Sequence, residues 1–416
     1  MPLLSALRHR NYRLFFSGQS VSLVGTWITR IATSWMVYRL TGSDLLLGVV
    51  GFAGQVPTLF LAPVTGVFVD RWDRRRVLLV TQVLSLLQSL ALAILTFAGI
   101  ITVGEIIGLQ VFQGMINAFD TPARQAFVVS MVEGRADVPN AIALNSSMVN
   151  ASRIAGPSLG GVLIATVGEG WCFLVDAISY IGVIASLLAM RLPADSRPPT
   201  NTRVMDDLRA GLRYVRGSMP IRTALILLAL VSTMGMPYTV LMPALTIKVL
   251  HGGAHTLGLL MGASGIGALV GAFYLASRRS VVGLGGVIAV SVMVFGAGLI
   301  AFGLSRTLWL SLVLLPLVGA GFMVALASTN TIVQTIVEED FRGRVMAFYT
   351  MAFLGTAPIG SLIAGTVAEH LGEQATIVMG GIACILGGLW FRSRLGRIRE
   401  IIRPIYIERG IIATAP

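Results

Sequence analysis

The chain has 416 residues, of which 55% are hydrophobic and only 12% are charged, and its mean hydropathy is +0.82. Because soluble domains carry about 25% charged residues, this composition and its repeated long apolar runs exclude a soluble protein and indicate a helical, multi-pass membrane protein. The net charge of +12 would suggest nucleic acid in a soluble protein, but here we interpret it as basic inner loops that touch anionic membrane lipids, and we expect no nucleic-acid partner.

Long apolar segments follow one another along the chain with short turns between them. The first six are predicted at residues 12–40, 45–69, 77–101, 105–132, 141–167 and 171–192. The second six are predicted at residues 221–250, 256–277, 286–304, 308–337, 344–370 and 374–391. Each is long enough to cross a hydrocarbon core of about 30 Å as a helix. We therefore predict an all-α membrane protein with twelve transmembrane helices.

The segment between the two sets of spans differs from them in composition. Residues 193–220 contain three prolines in their first part, and then an amphipathic stretch at 204–215 that we predict to be a helix on the inner membrane surface. The predicted domains are an N-terminal six-helix bundle (1–192), a cytoplasmic linker (193–220), a C-terminal six-helix bundle (221–391) and a basic cytoplasmic tail (392–416).

The two halves resemble each other. Ser-Met-Val-Glu ends span 4 at 130–133, and Thr-Ile-Val-Glu ends span 10 at 335–338, 205 residues later. Proline followed by small residues occurs at 157–161 in span 5 and again at 358–361 in span 11, 201 residues later. Internal repeats of this kind are common in secondary transporters, whose substrate site lies between the repeats. We therefore predict two pseudo-symmetric bundles and a transport function.

The segment 66–76, Gly-Val-Phe-Val-Asp-Arg-Trp-Asp-Arg-Arg-Arg, separates spans 2 and 3. It holds four Arg and two Asp within seven residues, so we expect a tight loop outside the lipid. Of the 31 basic residues, 26 fall in this loop or in and around the other predicted inner segments. This asymmetry predicts that both termini are cytoplasmic, in a bacterial-type inner membrane.

This loop resembles the signature G-x-x-x-D-[RK]-x-G-[RK]-[RK] between spans 2 and 3 of the major facilitator superfamily. The matching residues are Gly66, Asp70, Arg71, Arg74 and Arg75, whereas Asp73 stands where the signature has Gly. The resemblance implies that Asp70, Arg71 and Arg74 take part in inner salt bridges that hold the outward-open state and break on the inward swing. The alternative is a loop that only fixes the orientation in the membrane.

Span 5 contains a second signature, made of Gly156, Pro157, Gly160 and Gly161. It resembles the G-P-x-x-G-G core found in proton-coupled exporters of the superfamily, and implies proton antiport. Glycines four residues apart also let another helix approach closely, so generic helix packing is the alternative. Further stretches at 7–13, 121–126, 211–216 and 341–346 are similar to the exporter branch that includes enterobactin exporters and macrolide-efflux proteins.

Ionisable residues within the predicted spans are functional candidates, because charge is costly at that depth. Those away from the ends of the spans all lie in the N-terminal half: Arg30, Asp120, Arg124, Arg153 and Asp176. Asp120 and Asp176 are candidates for proton coupling. The alternative for Asp120 is an ion pair with Arg124 or Arg153, and the alternative for Asp176 is likewise a structural or gating role. Arg30 and Arg153 are charge partners or contacts for an anionic substrate group.

Polar and aromatic residues in the spans are candidates for the lining of a substrate cavity. They are Asn145, Asn150, Tyr238, Phe322, Asn330, Gln334 and Tyr349. Packing is the alternative for the aromatic residues, and hydrogen bonding between helices is the alternative for the amides. Neither the cysteines nor the histidines have metal-ligand spacing, so we predict no metal and no cofactor.

The favoured function is a secondary active transporter that exports an amphipathic small molecule, a drug or a siderophore-like compound, by alternating access and in exchange for protons. Alternatives are a lipid or lysolipid flippase on the same fold and an importer of a small nutrient. We expect a monomer. We also expect no enzyme activity, because the chain shows no nucleotide-binding glycine loop and no recognisable set of catalytic residues.

Overall fold

The computed structural model describes residues 5–132, 137–191, 204–278 and 280–412. Within these ranges only the backbone is described for residues 62–64, 66, 67, 69–71, 129, 139, 150 and 204–208. The described chain is almost entirely helical and contains no strand. Helices satisfy their own backbone hydrogen bonds, which is what lipid requires of a spanning segment.

The helices of the first half are, in chain order, α1 (Arg10–Thr41), α2 (Asp44–Ala53), α3 (Val56–Arg71), α4 (Arg74–Phe97), α5 (Val103–Ser130), α6 (Val138–Val167) and α7 (Glu169–Ala189). The helices that follow are α8 (Val204–Gly217), α9 (Met219–Leu230), α10 (Tyr238–Lys248), α11 (Ala254–Ser277), α12 (Leu284–Leu304), α13 (Leu308–Ile336), α14 (Arg342–Thr350), α15 (Ala357–Leu371), α16 (Glu373–Ser393) and α17 (Leu395–Glu408). Single π-helical turns connect α9 to α10 and α14 to α15.

Within the described residues, nine segments are long and apolar enough to cross a membrane. Three further helices, α1, α5 and α6, have 32, 28 and 30 residues, which is ample length for a span. These three helices carry four of the five ionisable residues predicted inside spans, which lowers their hydropathy. The total of twelve transmembrane helices stays a prediction.

The chain forms two compact units. The first comprises Met1–Gly42, Val49–Asn201 and Gly252–Gly262, and the second comprises Ser43–Gly48, Thr202–His251 and Ala263–Pro416. In the first unit α1 packs against α6 and α7, while α4 packs against α5 and α7. In the second unit α12 packs against α13 and α16, and α8 packs against α14. The predicted domain boundaries stay a prediction.

The predicted loop at 66–76 is wrong in its extent. Helix α3 continues to Arg71 and α4 begins at Arg74, so only Trp72 and Asp73 separate them. Gly66, Asp70 and Arg71 therefore lie in the last turns of a helix. The carboxylate of Asp73 accepts hydrogen bonds from the backbone N–H groups of Arg75 (2.9 Å) and Arg76 (3.3 Å). Asp73 is thus the N-cap of α4, a role that glycine has no side chain to perform.

Aromatic side chains form the centre of the second unit. Tyr238, Phe295, Phe322 and Phe353 follow one another with ring centroids 6.4, 5.6 and 6.1 Å apart. These separations are typical of favourable aromatic contacts. The row joins α10, α12, α13 and the π-helical turn before α15, so that it fixes these helices in one packed core.

Candidate functional site

Asp176 is the most deeply buried acidic residue predicted inside a span. It lies on α7 and is 1% exposed. One carboxylate oxygen, Oδ2, accepts a hydrogen bond from Ser89 Oγ on α4 (2.8 Å), whereas Oδ1 has no hydrogen-bond partner among the described residues. Within the described residues no Lys or Arg lies within ion-pair distance of Asp176. Its negative charge would therefore be uncompensated in this position.

Helix α1 closes the third side of the Asp176 pocket through a glycine. A Cβ atom on Gly25 would lie 2.7 Å from Asp176 Oδ1 and 2.8 Å from Ser179 Oγ. Such distances are closer than carbon atoms approach oxygen, so only glycine lets α1 and α7 pack at this level. Helices α1, α4 and α7 together enclose the carboxyl group.

Asp120 has a different environment, although it too is buried. Its Oδ1 accepts hydrogen bonds from Thr81 Oγ1 (3.0 Å) and Gln82 Nε2 (2.8 Å). Its Oδ2 lies 3.4 Å from Arg124 Nε, one helical turn along α5. This carboxylate is paired and hydrogen-bonded, which stabilises its charged form. Of the two predicted partners for Asp120, the geometry brings Arg124 within ion-pair distance.

A polar face of α4 connects the surroundings of the two acids. Its buried side chains are Thr81, Gln82, Ser85, Gln88 and Ser89. The first two contact Asp120 and the last contacts Asp176. Eight residues of helix separate the ends of this face, which corresponds to about 12 Å. The two acids are thus joined by one polar helix face in the first unit.

Arg30 and Arg153 meet at a tryptophan on α1. The guanidinium carbon of Arg30 lies 5.2 Å from the ring centroid of Trp27, and that of Arg153 lies 5.6 Å from the same centroid. Both distances fall within the range of cation–π contacts. Arg30 is exposed although it lies in the middle of a long helix, and Trp27 and Arg153 are half-buried.

The glycines of the span-5 signature allow α6 to approach α1 closely at Trp27. A Cβ atom on Gly156 would overlap the Cβ atom of Trp27, and one on Gly160 would lie 3.3 Å from the Cα atom of Ile28. Gly161 approaches Gly258 on α11, where an added Cβ atom would lie 2.6 Å from the Cα atom. Pro157 lies inside α6, which continues through it. The signature therefore packs α6 closely against α1 beside Trp27.

The residues predicted to gate at the inner side are only partly described. For Gly66, Asp70 and Arg71 only the backbone is described, and the gating role of the segment stays a prediction. Arg74 is buried at the start of α4. Arg75 donates hydrogen bonds from Nε to the carbonyl oxygen of Leu187 (2.9 Å) and from a terminal nitrogen to that of Leu188 (3.0 Å). Arg75 thus caps the C-terminal end of α7.

The three aromatic cavity candidates are buried in the second unit. Each is 7% exposed. Phe322 belongs to the aromatic row, the hydroxyl of Tyr238 lies 2.7 Å from Ser264 Oγ, and Tyr349 Oη donates a hydrogen bond to the carbonyl oxygen of Leu326 (3.1 Å). These contacts are those of a packed core with satisfied hydroxyl groups.

The amide candidates differ from one another. Gln334 Nε2 donates a hydrogen bond to Asn330 Oδ1 (2.7 Å), and both line a cavity of about 460 Å³ with Thr331, Thr335, Arg342, Arg409 and Ile411. Asn145 is half-buried, and its Oδ1 has no hydrogen-bond partner among the described residues. The side chain of Asn150 lies outside the described residues.

One charged cluster was missed at the sequence level. Lys248 Nζ lies 2.8 Å from Asp44 Oδ2 and 2.5 Å from Glu373 Oε1, and both carboxylates are almost completely buried. Nearby, Glu369 accepts hydrogen bonds from Ser43 Oγ (3.1 Å) and the Leu45 N–H (3.0 Å). The sequence contained a signal for this cluster, because Lys248 is the only lysine in the chain. The described residues contain no cluster of His, Cys, Asp and Glu that could hold a metal ion.

Comparison with known proteins identifies relatives over almost the whole chain. The model of a major facilitator family described as "Transmembrane secretion effector" matches residues 2–401. The Staphyloferrin A transporter of Staphylococcus aureus is 27% identical over 385 residues, which cover 92% of this chain and 96% of the relative. The enterobactin exporter EntS of Citrobacter koseri is 26% identical over 410 residues (98% and 97%). The multidrug efflux pump Tap of Mycolicibacterium fortuitum is 27% identical over 385 residues (91% and 93%). These matches confirm the resemblance to the exporter branch.

Solved structures show the same fold at low sequence identity. A bacterial homologue of the human lysosomal transporter Spinster matches with a TM-score of 0.72 and 13% identity, covering 93% of this chain and 96% of that chain. The nucleoside transporter NupG matches with a TM-score of 0.71 and 16% identity, covering 95% and 99%. With the nine apolar helices among the described residues, these matches confirm the predicted fold class, an all-α, multi-pass membrane protein of the major facilitator type.

Proposed function

We propose that this chain, which belongs to the major facilitator family described as "Transmembrane secretion effector", exports a small molecule in exchange for protons by alternating access. Its membership of a transporter family confirms the prediction that it is not an enzyme. Export is supported by the relatives whose names describe an exporter and an efflux pump. Those relatives handle a siderophore and drugs, so an amphipathic molecule of either kind is the first substrate class to test.

The observation that carries the proton-coupling proposal is the environment of Asp176. A buried carboxylate without a cation costs several kcal/mol, and no described Lys or Arg lies within ion-pair distance of Asp176, to which Ser89 donates a hydrogen bond. Uptake of a proton removes this cost, and entry of water stabilises the charged carboxylate, so that the proton can leave again. A group that changes its protonation with its surroundings in this way is what an antiporter needs.

Asp120 suits this role less well, although the sequence favoured it over Asp176 for proton coupling. Arg124, Thr81 and Gln82 all stabilise its charged form. The polar face of α4 instead gives Asp120 a supporting role, as a fixed negative charge at the other end of the side-chain row that reaches Ser89. We assign the proton to Asp176 and the structural ion pair to Asp120 and Arg124.

The proposed orientation has both termini in the cytoplasm, with anionic lipid headgroups as contacts. Helix α17 supports it, because one side packs on the second unit through Leu395, Ile398, Ile402 and Tyr406. The other side exposes Arg397, Arg399 and Arg403. A basic, amphipathic helix of this kind suits the inner membrane surface. We also propose that the protein works as a monomer.

The test of the proposed function uses inverted membrane vesicles with an imposed pH gradient, acidic inside. A panel of amphipathic drugs and siderophores is added to vesicles that contain the wild-type chain, Asp176→Asn or Asp120→Asn. We expect substrate-induced proton release from the wild type, its loss in Asp176→Asn and its retention in Asp120→Asn.

Two results would count against the proposal. Proton release that survives in Asp176→Asn would remove this residue from the coupling mechanism. Absence of release with every compound, in vesicles that contain folded protein, would contradict drug or siderophore antiport. Transport of lysolipids, or accumulation of a nutrient in the opposite direction, would then identify one of the two alternatives.

A further inference from the structure

A pair of arginines shares one tryptophan within the first unit, and this arrangement is independent of the buried acids. Trp27 and Arg30 are three residues apart on α1, so they lie on the same face of that helix. Arg153 and Gly156 have the same spacing on α6, and Gly156 is the residue that contacts Trp27. The two helices therefore present their guanidinium groups to one aromatic ring at one level.

The two guanidinium carbons lie 5.2 and 5.6 Å from the same ring centroid, so two like charges that repel each other share one small region. The described ion pairs include none with Arg30, and its side chain is exposed. Cationic side chains at such depth in a span are costly unless they face a partner or a watery space. The indole ring compensates part of this cost through its face. An anion bound beside Arg30 would compensate the rest of the cost of its charge.

The chemistry of the three side chains defines what would bind. Guanidinium groups bind carboxylates through two parallel hydrogen bonds, and they remain charged at any physiological pH. The indole ring adds a flat apolar surface on which an aromatic or aliphatic part of a ligand can pack. A ligand that uses all three groups has at least one anionic group beside an apolar part.

We infer that Trp27, Arg30 and Arg153 form the site that binds an anionic group of the transported molecule, which makes the substrate an organic anion, a carboxylate above all, and not a cationic drug. This inference rests on the proposed function, because it names the substrate class of the proposed exporter. It adds a role for the span-5 signature: Gly156 lets α6 approach α1 closely enough to place Arg153 at the indole ring. The glycine is thus a positioning residue for the anion site.

The test measures binding alone, with purified full-length protein in lipid nanodiscs and no ion gradient. The probes are benzene-1,3,5-tricarboxylate, a trianion with an aromatic ring, and benzene-1,3,5-tricarboxamide, which has the same shape and no charge. Isothermal titration calorimetry gives the dissociation constant of each. We expect the trianion to bind at least about tenfold more tightly than the triamide, and to lose affinity as salt is raised.

Variants separate this site from nonspecific attraction to a basic protein. Arg30→Gln and Arg153→Gln should each weaken binding of the trianion about tenfold or more. Arg306→Gln is the matched control, because Arg306 is exposed between α12 and α13 and takes no part in the site; it should leave binding unchanged. Arg30→Lys keeps the charge but loses the bidentate geometry, and should fall between the wild type and Arg30→Gln.

Equal binding of the trianion and the triamide to the wild type would overturn the inference, as would an affinity for the trianion that Arg30→Gln and Arg153→Gln leave unchanged. Thermal unfolding checks that each variant is folded. If a Gln variant is not folded, the inference is tested by the affinity of Arg30→Lys for the trianion and by the affinities of the wild type for the two probes. The binding test measures no proton movement, so its outcome is independent of the vesicle experiment. If the protein binds the trianion but vesicles show no substrate-driven proton release, the antiport proposal is refuted and this inference stands.

Discussion

At the scale of single residues, the charged side chains of this protein differ in what surrounds them. Among the described residues, Asp120 has an arginine and two hydrogen-bond donors, Asp176 has no cation and accepts a hydrogen bond from Ser89, and Arg30 has the face of an indole ring. The free energy of a buried charge depends on these partners more than on the residue type. We therefore propose a different role for each of these three residues: a structural ion pair for Asp120, a proton site for Asp176 and an anion contact for Arg30.

Arg75 provides a test of the part of the inner segment that the structure describes. Arg75→Ala removes two hydrogen bonds to the last carbonyl groups of α7, and should lower the free energy of unfolding by about 1–3 kcal/mol. Arg76→Ala is the control, because the Arg76 side chain is 86% exposed and lies 3.5 Å from Asp73; it should cost less than about 1 kcal/mol. Thermal unfolding in detergent measures both, and equal effects would contradict the capping role of Arg75.

Lys248 should be far more sensitive than an ordinary surface lysine. Lys248→Ala leaves the buried carboxylates of Asp44 and Glu373 without their shared cation, and should destabilise the protein by about 3–5 kcal/mol. Lys248→Arg keeps the charge and should retain most of the stability. The midpoint of thermal unfolding compares the two variants with the wild type. An alanine variant as stable as the wild type would show that the ion pairs of Lys248 with Asp44 and Glu373 do not stabilise the protein.

At the scale of helices, glycine decides where two helices meet. Helix α6 approaches α1 through Gly156 and Gly160, and α1 approaches α7 through Gly25. The first contact places Arg153 at Trp27, and the second encloses Asp176. In a membrane, where lipid is as apolar as the side chains, such close backbone contacts provide much of the association between helices.

Gly156→Ala tests this packing directly. The added methyl group would overlap Trp27, so we expect a loss of about 1–3 kcal/mol in stability and weaker anion binding at Arg30 and Arg153. Gly108→Ala is the matched control on α5, because nothing lies within 4 Å of the position of its Cβ atom. That variant should be neutral or more stable by about 0.5–1 kcal/mol, since alanine favours helix more than glycine does. Similar effects of both substitutions would exclude a specific contact at Gly156.

The helices themselves were largely predictable from sequence, because long, continuously apolar segments cross lipid as helices. The Gly-Pro signature also predicted close packing in span 5. The partner of that packing was not predictable, because spacing along α6 does not say which helix faces Gly156. The same limit applies to Asp176: sequence places the carboxyl in a span, but only tertiary structure shows that Ser89 is its donor and that no described cation approaches it.

Local turn chemistry explains the other difference between sequence and structure. Seven residues with four Arg and two Asp suggested a loop, but charged residues at the end of a span can remain helical where the chain leaves the lipid. Asp73 then starts the next helix as its N-cap. The comparison with a family signature, in which this position is glycine, drew attention to Asp73 without revealing its role.

At the scale of the whole molecule, the distribution of arginine predicts the orientation in the membrane. A green fluorescent protein fused after Pro416 should be fluorescent, and alkaline phosphatase fused at the same point should be inactive, because both report a cytoplasmic C-terminus. A phosphatase inserted in the turn at Gly99, between α4 and α5, is the opposite control and should be active. An active C-terminal phosphatase would reverse the proposed orientation and, with it, the inner and outer assignments.

The central claim, that Asp176 carries the proton exchanged during export, has a direct test that needs no substrate. Infrared difference spectroscopy on the purified full-length protein detects the C=O stretch of a protonated, buried carboxyl group. We predict such a band near neutral pH, its disappearance as the pH is raised and the carboxyl loses its proton, its absence in Asp176→Asn, and its persistence in Asp120→Asn. A spectrum of Asp176→Asn identical to that of the wild type at every pH would contradict the claim.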